Sequence, residues 1–347
     1  MKKKFGLLLM SIATFVFAIH TASAYTSYNP TDWIDAGGAY GEVNVIDTNL
    51  VNLKGTDTTL AATGMWYGPY SNISTGKLAD GIYEEINVEL DPEKYTHGEF
   101  FDVSLGLKDG SNNYVSEARI FTQKVGDKFK LTVSWDNDFE TYVSQKGIYT
   151  YGWSVYTKDD GITYVDFYLY KGGREVASLT EKSLDAITQA ATSPIADQDD
   201  VAVKYIWFDS INAVEGVNVY TELPTVKLTF VDPVEDDDFV EYVYKYTSYL
   251  TEAEKEEFMN QFAALLEEEG YIFEGFFADE DFTTEFDLTS VLEDDTTVYT
   301  KLSLIETGEE VFPPKTSDIN LSLVITMMLV AFVGVVFVAR KRLARNN

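Results

Sequence analysis

Across 347 residues the chain carries 57 Asp+Glu against 26 Lys+Arg, a net charge of −31, with no cysteine and two histidines, His20 and His97. The acidic field repels nucleic acid and anionic lipid. The missing cysteines exclude disulfides, thiolate metal sites and a lipid-modified cysteine, and two histidines are too few for histidine-rich zinc chemistry.

Lys2, Lys3 and Lys4 precede an apolar run, Phe5–Ile19, and the small-residue site Ala22-Ser23-Ala24. This is the pattern of a secretory signal peptide over residues 1–24. It predicts that the chain from Tyr25 onward acts outside the cell.

Residues 25–222 read as a β-sandwich head. Apolar and polar residues alternate with period two: Ile86, Val88 and Leu90 against Tyr83, Glu85, Asn87 and Glu89, then Phe101, Val103, Leu105 and Leu107 against Asp102 and Ser104. The pattern repeats in Phe129, Leu131, Val133 and Trp135, and in Val165, Phe167 and Leu169 against Tyr164, Asp166, Tyr168 and Tyr170. Lys108-Asp109-Gly110, Asp159-Asp160-Gly161 and Lys171-Gly172-Gly173 supply turns. Many short alternating strands suggest a sandwich or barrel. One helix is expected over Leu179–Ala191, because Ser178 and Glu181 have capping-box spacing. Returning strands are expected around Tyr205–Phe208 and Gly216–Tyr220. Trp135 and Trp207 are assigned to the core, and Trp153 stays open between core and surface. Through Asp80–Val88 and Tyr205–Phe208 the head resembles the concanavalin A-like jelly-roll sandwiches of surface lectins and glucanases. The resemblance implies a carbohydrate-binding or carbohydrate-cleaving domain.

Candidate ligand-binding residues are Tyr83, Glu85, Asn87, Tyr164, Asp166 and Tyr168, which share the polar side of two predicted strands. Aromatic rings stack on the C–H patches of sugars, and carboxylates accept their hydroxyl hydrogens. The competing explanation is cross-strand aromatic pairing that only stabilises a sheet. Trp66-Tyr67-Gly68-Pro69-Tyr70 is an aromatic loop that serves either as a binding tip or as a plug. Glu89-Leu90-Asp91-Pro92-Glu93 resembles the Glu-x-Asp-x-Glu pattern of laminarinase-type glycosidases, where alternate acids carry catalysis. Pro92 cannot donate to a strand ladder, so Asp91–Lys94 reads as a turn, and no catalytic residue is assigned. His97 reads as a surface-loop histidine.

Residues 226–304 form a second, acidic module. Thr251 and Glu254 predict a helix start, Gly270 its end, and Phe258, Phe262, Leu265 and Leu266 a stripe that packs on a sheet. Gly270-Tyr271-Ile272-Phe273-Glu274-Gly275-Phe276-Phe277 and Asp294–Tyr299 resemble the Listeria–Bacteroides internalin-type β-grasp repeat. The family's first Trp is here Phe276, its final one Leu302, and the helix is an insertion. The resemblance implies a stalk or adhesive spacer.

Residues 305–318 form a stalk, 319–339 a transmembrane helix and 340–347 a basic cytoplasmic tail. Pro313-Pro314-Lys315-Thr316-Ser317, the uncharged run Leu321–Ala339 and Arg340-Lys341-Arg342 together resemble a Gram-positive cell-wall sorting signal. Pro314 and Thr316 match the Pro and Thr of Leu-Pro-x-Thr-Gly, while Pro313 and Ser317 depart from it. The resemblance implies that a sortase cuts between Thr316 and Ser317, with Lys315 inside its motif, and joins the chain to peptidoglycan. A plain membrane anchor is the alternative.

The combined expectation is a mostly β, surface-displayed adhesin or a protein that binds carbohydrate or a host glycoprotein. The alternatives are a surface glycan-active hydrolase of jelly-roll type and a purely structural surface protein. No enzymatic activity and no cofactor are expected. Calcium is the one open cation, because acids supply the oxygens it prefers.

Overall fold

The computed structural model describes residues 33–34, 41–55, 70–72, 81–108, 114–133, 139–183, 202–231, 233 and 238–305. The signal residues 1–24, the loop Trp66–Pro69, Trp135, the sorting-like motif Pro313–Ser317 and the run Leu321–Ala339 lie outside them. Among the described residues no helix is long and apolar enough to cross a membrane.

The head contributes strands β1 (Trp33–Ile34), β2 (Gly41–Val45), β3 (Leu50–Gly55), β4 (Tyr70–Asn72), β5 (Ile82–Leu90), β6 (Phe100–Lys108) and β7 (Tyr114–Val125). After these come β8 (Lys128–Val133), β9 (Glu140–Val143), β10 (Gly147–Thr157), β11 (Thr163–Lys171), β12 (Arg174–Ser183), β13 (Ala202–Ile211) and β14 (Val217–Tyr220). They form two seven-stranded sheets, β1-β4-β13-β6-β7-β8-β9 and β12-β11-β10-β5-β14-β3-β2.

One core joins the two sheets. Phe101, Val103, Phe129 and Phe208 of the first sheet pack with Ile86, Val88, Tyr151, Trp153 and Phe167 of the second. Each fully buried residue of this kind contributes about 1.5–3 kcal/mol. The Thr122 and Tyr151 hydroxyls meet across the core at 3.0 Å, which satisfies two polar groups that burial would otherwise penalise. Trp153 is interior, so it is no surface contact.

The predicted helix over Leu179–Ala191 is not formed in its described part. Residues through Ser183 belong to β12, paired antiparallel with β11. Ser178 donates its hydroxyl to the Glu175 carboxylate at 2.7 Å and caps no helix. Glu181 takes a left-handed φ of 59°. The free edge of β11 offers a ladder of backbone hydrogen bonds that outweighs one cap. The Gly172-Gly173 turn joining β11 to β12 has φ of 55° and 74°, the pair of values a tight hairpin needs.

The second module comprises β15 (Thr225–Val231), β16 (Phe239–Tyr244), β17 (Thr247–Ser248), α1 (Glu252–Glu268), β18 (Tyr271–Phe277), β19 (Val291–Leu292) and β20 (Thr296–Leu304). Its four-stranded sheet runs β16-β15-β20-β18, with β15 and β20 parallel. Helix α1 has the predicted capping box at Thr251 and Glu254 and buries Phe258, Phe262 and Leu266. Phe276 meets four rings, those of Phe230, Phe258, Phe262 and Phe273. Module and head touch: Arg174 donates to Glu254 at 2.9 Å. Lys146 stands 3.7 Å from Asp91 of the head and 3.3 Å from Glu293 of the module.

Candidate functional site

Strand β10 lies between β5 and β11. Gly152 is registered with Glu85 on one side and Tyr168 on the other. Ser154 stands between Tyr83 and Asp166, and Thr150 between Asn87 and Tyr170. The two polar stripes predicted from separate strands therefore share one face of the second sheet. They are two strand spacings apart, about 9–10 Å. Their neighbours Ile86, Val88, Val165, Phe167 and Leu169 fill the core.

The six candidates divide by role. Tyr83, Glu85, Tyr164 and Tyr168 are half-buried and reach the surface. Tyr83 donates its hydroxyl to Glu85. Burial raises the Glu85 carboxyl above its ordinary range, and the Tyr83 hydrogen bond opposes that rise. Tyr164 donates to Asp160 at 3.0 Å and stacks on Tyr156 at 6.2 Å, while Tyr168 stacks on Tyr170 at 5.9 Å.

Asn87 and Asp166 are buried and organise this surface rather than present to it. Asn87 accepts the Thr150 hydroxyl at 2.7 Å and donates to the Tyr220 carbonyl at 3.3 Å. Asp166 accepts the hydroxyls of Tyr156 and Tyr168 at 3.2 and 3.1 Å and the Glu181 N–H at 2.6 Å. Tyr156 is pushed up to about 12, first by burial and then by the Asp166 charge.

Gly152 leaves the middle of the face open. A Cβ there would stand 3.2 Å from the Tyr83 hydroxyl and 3.6 Å from the Tyr168 Cβ.

Glu89 continues the outward side of β5. It is 4% exposed and accepts from Lys94 at 3.1 Å, Asn218 at 2.8 Å and the Tyr220 hydroxyl at 3.3 Å. The predicted turn is present: Lys94 N–H donates to the Asp91 carbonyl, and Glu93 N–H to its carboxylate. Sequence reasoning missed the buried Glu89; the available signal was its place in the outward register of Tyr83, Glu85 and Asn87. His97 is exposed and accepts the Gly126 N–H at 3.1 Å. Among the described residues no three His, Cys, Asp or Glu side chains gather as a metal site.

No protein-family model matches the chain, and no curated protein matches it. Among solved structures it is similar to a double mutant of an alginate lyase in complex with an alginate tetrasaccharide, at 11% identity and a TM-score of 0.32, covering 53% of this chain and 83% of that one. A Bacillus licheniformis β-glucanase matches at 14% identity and a TM-score of 0.28, covering 58% and 97%. A glycosidic hydrolase matches at 14% and 0.25, covering 57% and 91%.

Proposed function

We propose that the protein is a surface-displayed binder whose head takes a neutral, hydroxyl-rich glycan across β5, β10 and β11. The observation that carries this reading is the meeting of Tyr83 and Glu85 with Tyr164 and Tyr168 on one face, with side-chain-free Gly152 between them. Half-buried rings offer stacking surfaces, and a carboxyl group among tyrosine hydroxyls offers both donors and acceptors. The outward residues of the three strands include Glu85, Glu89 and Asp166 and no Lys or Arg, which disfavours polyanionic chains. The display part of the proposal rests on the signal-like segment 1–24 and on the segment from Pro313 to Arg342. The test is a glycan array probed with the purified protein and its Tyr164→Ala/Tyr168→Ala variant. Binding that the double variant loses supports the reading; unchanged binding, or none by the wild type, overturns it. For the anchor, wall fragments ending at Thr316 and linked to peptidoglycan support sorting, whereas Arg345 retained in the mature protein supports a membrane anchor.

A second reading is cleavage. Glu85 is held toward its protonated form by burial on the same face as the carboxylate Asp166, and an acid with a second carboxylate is what glycoside hydrolysis requires. Release of reducing sugar from a polysaccharide panel, abolished by Glu85→Gln, would favour it over binding alone.

A further inference from the structure

At the Glu89 end of the same face lies a cavity of about 200 Å³ lined by Asn52, Glu89, Asp91, Lys94, Tyr95 and Asn218. Strand β14 places Asn218 beside Asn52 of β3, so the cavity opens over β5, β14 and β3, away from the tyrosines. Its floor is fixed. Asn52 donates to Asn218 at 2.8 Å and to the Glu215 carbonyl at 3.1 Å. Asn218 donates in turn to Glu89, and the Tyr95 hydroxyl donates to the Gly216 carbonyl at 3.1 Å. Lys94, 48% exposed at its side chain, stands at the mouth.

We infer that this cavity is the subsite for the terminal sugar of the bound glycan, so that the head recognises a chain end. The inference rests on the glycan reading of the tyrosine face. Three observations carry it. The volume is below the roughly 300–1,000 Å³ of drug-sized sites, which suits one ring and no continuing chain. The Asp91–Lys94 turn and the Glu215-Gly216 turn close the sheet at this end, and Lys146 ties Asp91 on to Glu293 of the module. A chain laid along β5 therefore has nowhere to run past Glu89. The walls alternate amide donors with carboxylate acceptors, which matches ring hydroxyls. Buried Glu89 and Asp91 face the single mouth cation Lys94, an excess of acid that excludes a uronate or phosphorylated end. From Glu85 to Glu89 the strand advances about 13 Å, so the ligand that fills both places is an oligosaccharide.

The experiment uses the purified protein and calorimetric titration with neutral tetraoses of glucose, mannose and galactose, and with a long polymer of whichever binds. End recognition predicts equal affinity per chain, within about twofold, for tetraose and polymer; affinity per chain that rises with length overturns the inference without the use of any variant. Lys94→Trp, a change at a half-exposed position that caps the mouth, should weaken the tetraose at least tenfold. If Tyr168→Ala weakens binding and Lys94→Trp does not, the cavity assignment fails and the face reading stands. If the wild type binds none of the three, both fail.

Discussion

Gly152 and Tyr83 share one position on the head: the space a Cβ on Gly152 would occupy ends 3.2 Å from the Tyr83 hydroxyl. Glycine inside a strand costs conformational entropy and packs nothing, so its presence there is explained by what a side chain would obstruct. Gly152→Val is expected to displace the Tyr83 ring and weaken glycan binding by about tenfold, near 1.4 kcal/mol. The melting temperature should shift little, because the β-branched residue suits a strand. Undiminished binding would remove Gly152 from the site.

Asp166 holds Tyr156, Tyr168 and the bulged Glu181 backbone. Asp166→Ala leaves three donors without an acceptor, each in a half-buried or buried setting. A loss of about 2–3 kcal/mol is expected, read as a lower urea midpoint at unchanged slope. A midpoint equal to that of the wild type would show that water replaces the carboxylate.

The head should respond to alkali in two directions. Burial lowers Lys171 from 10.5 to about 8, so across that window the unfolded chain holds the extra proton and stability rises with pH. Tyr149, by burial, and Tyr156, by burial and Asp166, are pushed up to about 12. Unfolded tyrosine releases its proton near 10. Between about 10 and 12 the folded head therefore holds more protons, and stability falls as pH rises. Melting temperatures should climb modestly above pH 8 and then drop steeply; Lys171→Met should erase the climb and keep the drop. Tyrosinate absorbance that develops fully near pH 10 with the head still folded would contradict the assignment.

In the module, Phe276→Ala removes the ring that touches Phe230, Phe258, Phe262 and Phe273 at 5.6, 6.2, 5.3 and 4.9 Å. A loss of about 3–5 kcal/mol is expected, visible as early melting of the helical signal of α1. Retention of that signal at the wild-type denaturant midpoint would mean that the cluster repacks.

The joint between head and module rests on partly exposed ion pairs, Arg174–Glu254 and Lys146–Glu293. Such pairs contribute at most about 1 kcal/mol each. Arg174→Ala with Lys146→Ala should leave both melting transitions in place and let the two parts tumble separately in NMR relaxation. Unchanged joint tumbling would place the docking elsewhere, for instance where a Cβ on Gly172 would press on Thr247.

What could be read in the sequence was local. Alternation in β5, β6, β8 and β11 identified the inward residues, and Thr251 with Glu254 identified the start of α1. The Ser178 and Glu181 spacing misled, because a cap motif carries no information about whether a neighbouring strand offers a free edge. The approach of Glu85 to Tyr168 depends on β10 being inserted between two strands far apart in the chain, and no pattern inside either stripe records that. The same holds for Glu89, whose Asn218 and Tyr220 donors arrive from β14. The sequence could mark Asn87 and Asp166 as outward polar residues, but only their bonds to Thr150, Tyr156 and Tyr168 reveal them as supports rather than contacts.

The parallel pairing of β15 with β20 has a mechanical meaning. The chain enters the module at Thr225 and leaves past Leu304, and these two strands lie side by side with Leu228–Val231 opposite Thr296–Tyr299. A pull between the two ends runs along the strands. It loads the hydrogen bonds of the shared ladder together, in shear, rather than opening them one after another. Ripping the module apart then requires the whole ladder to slide at once. That is the geometry suited to a link between a ligand-holding head and a fixed point beyond Leu304.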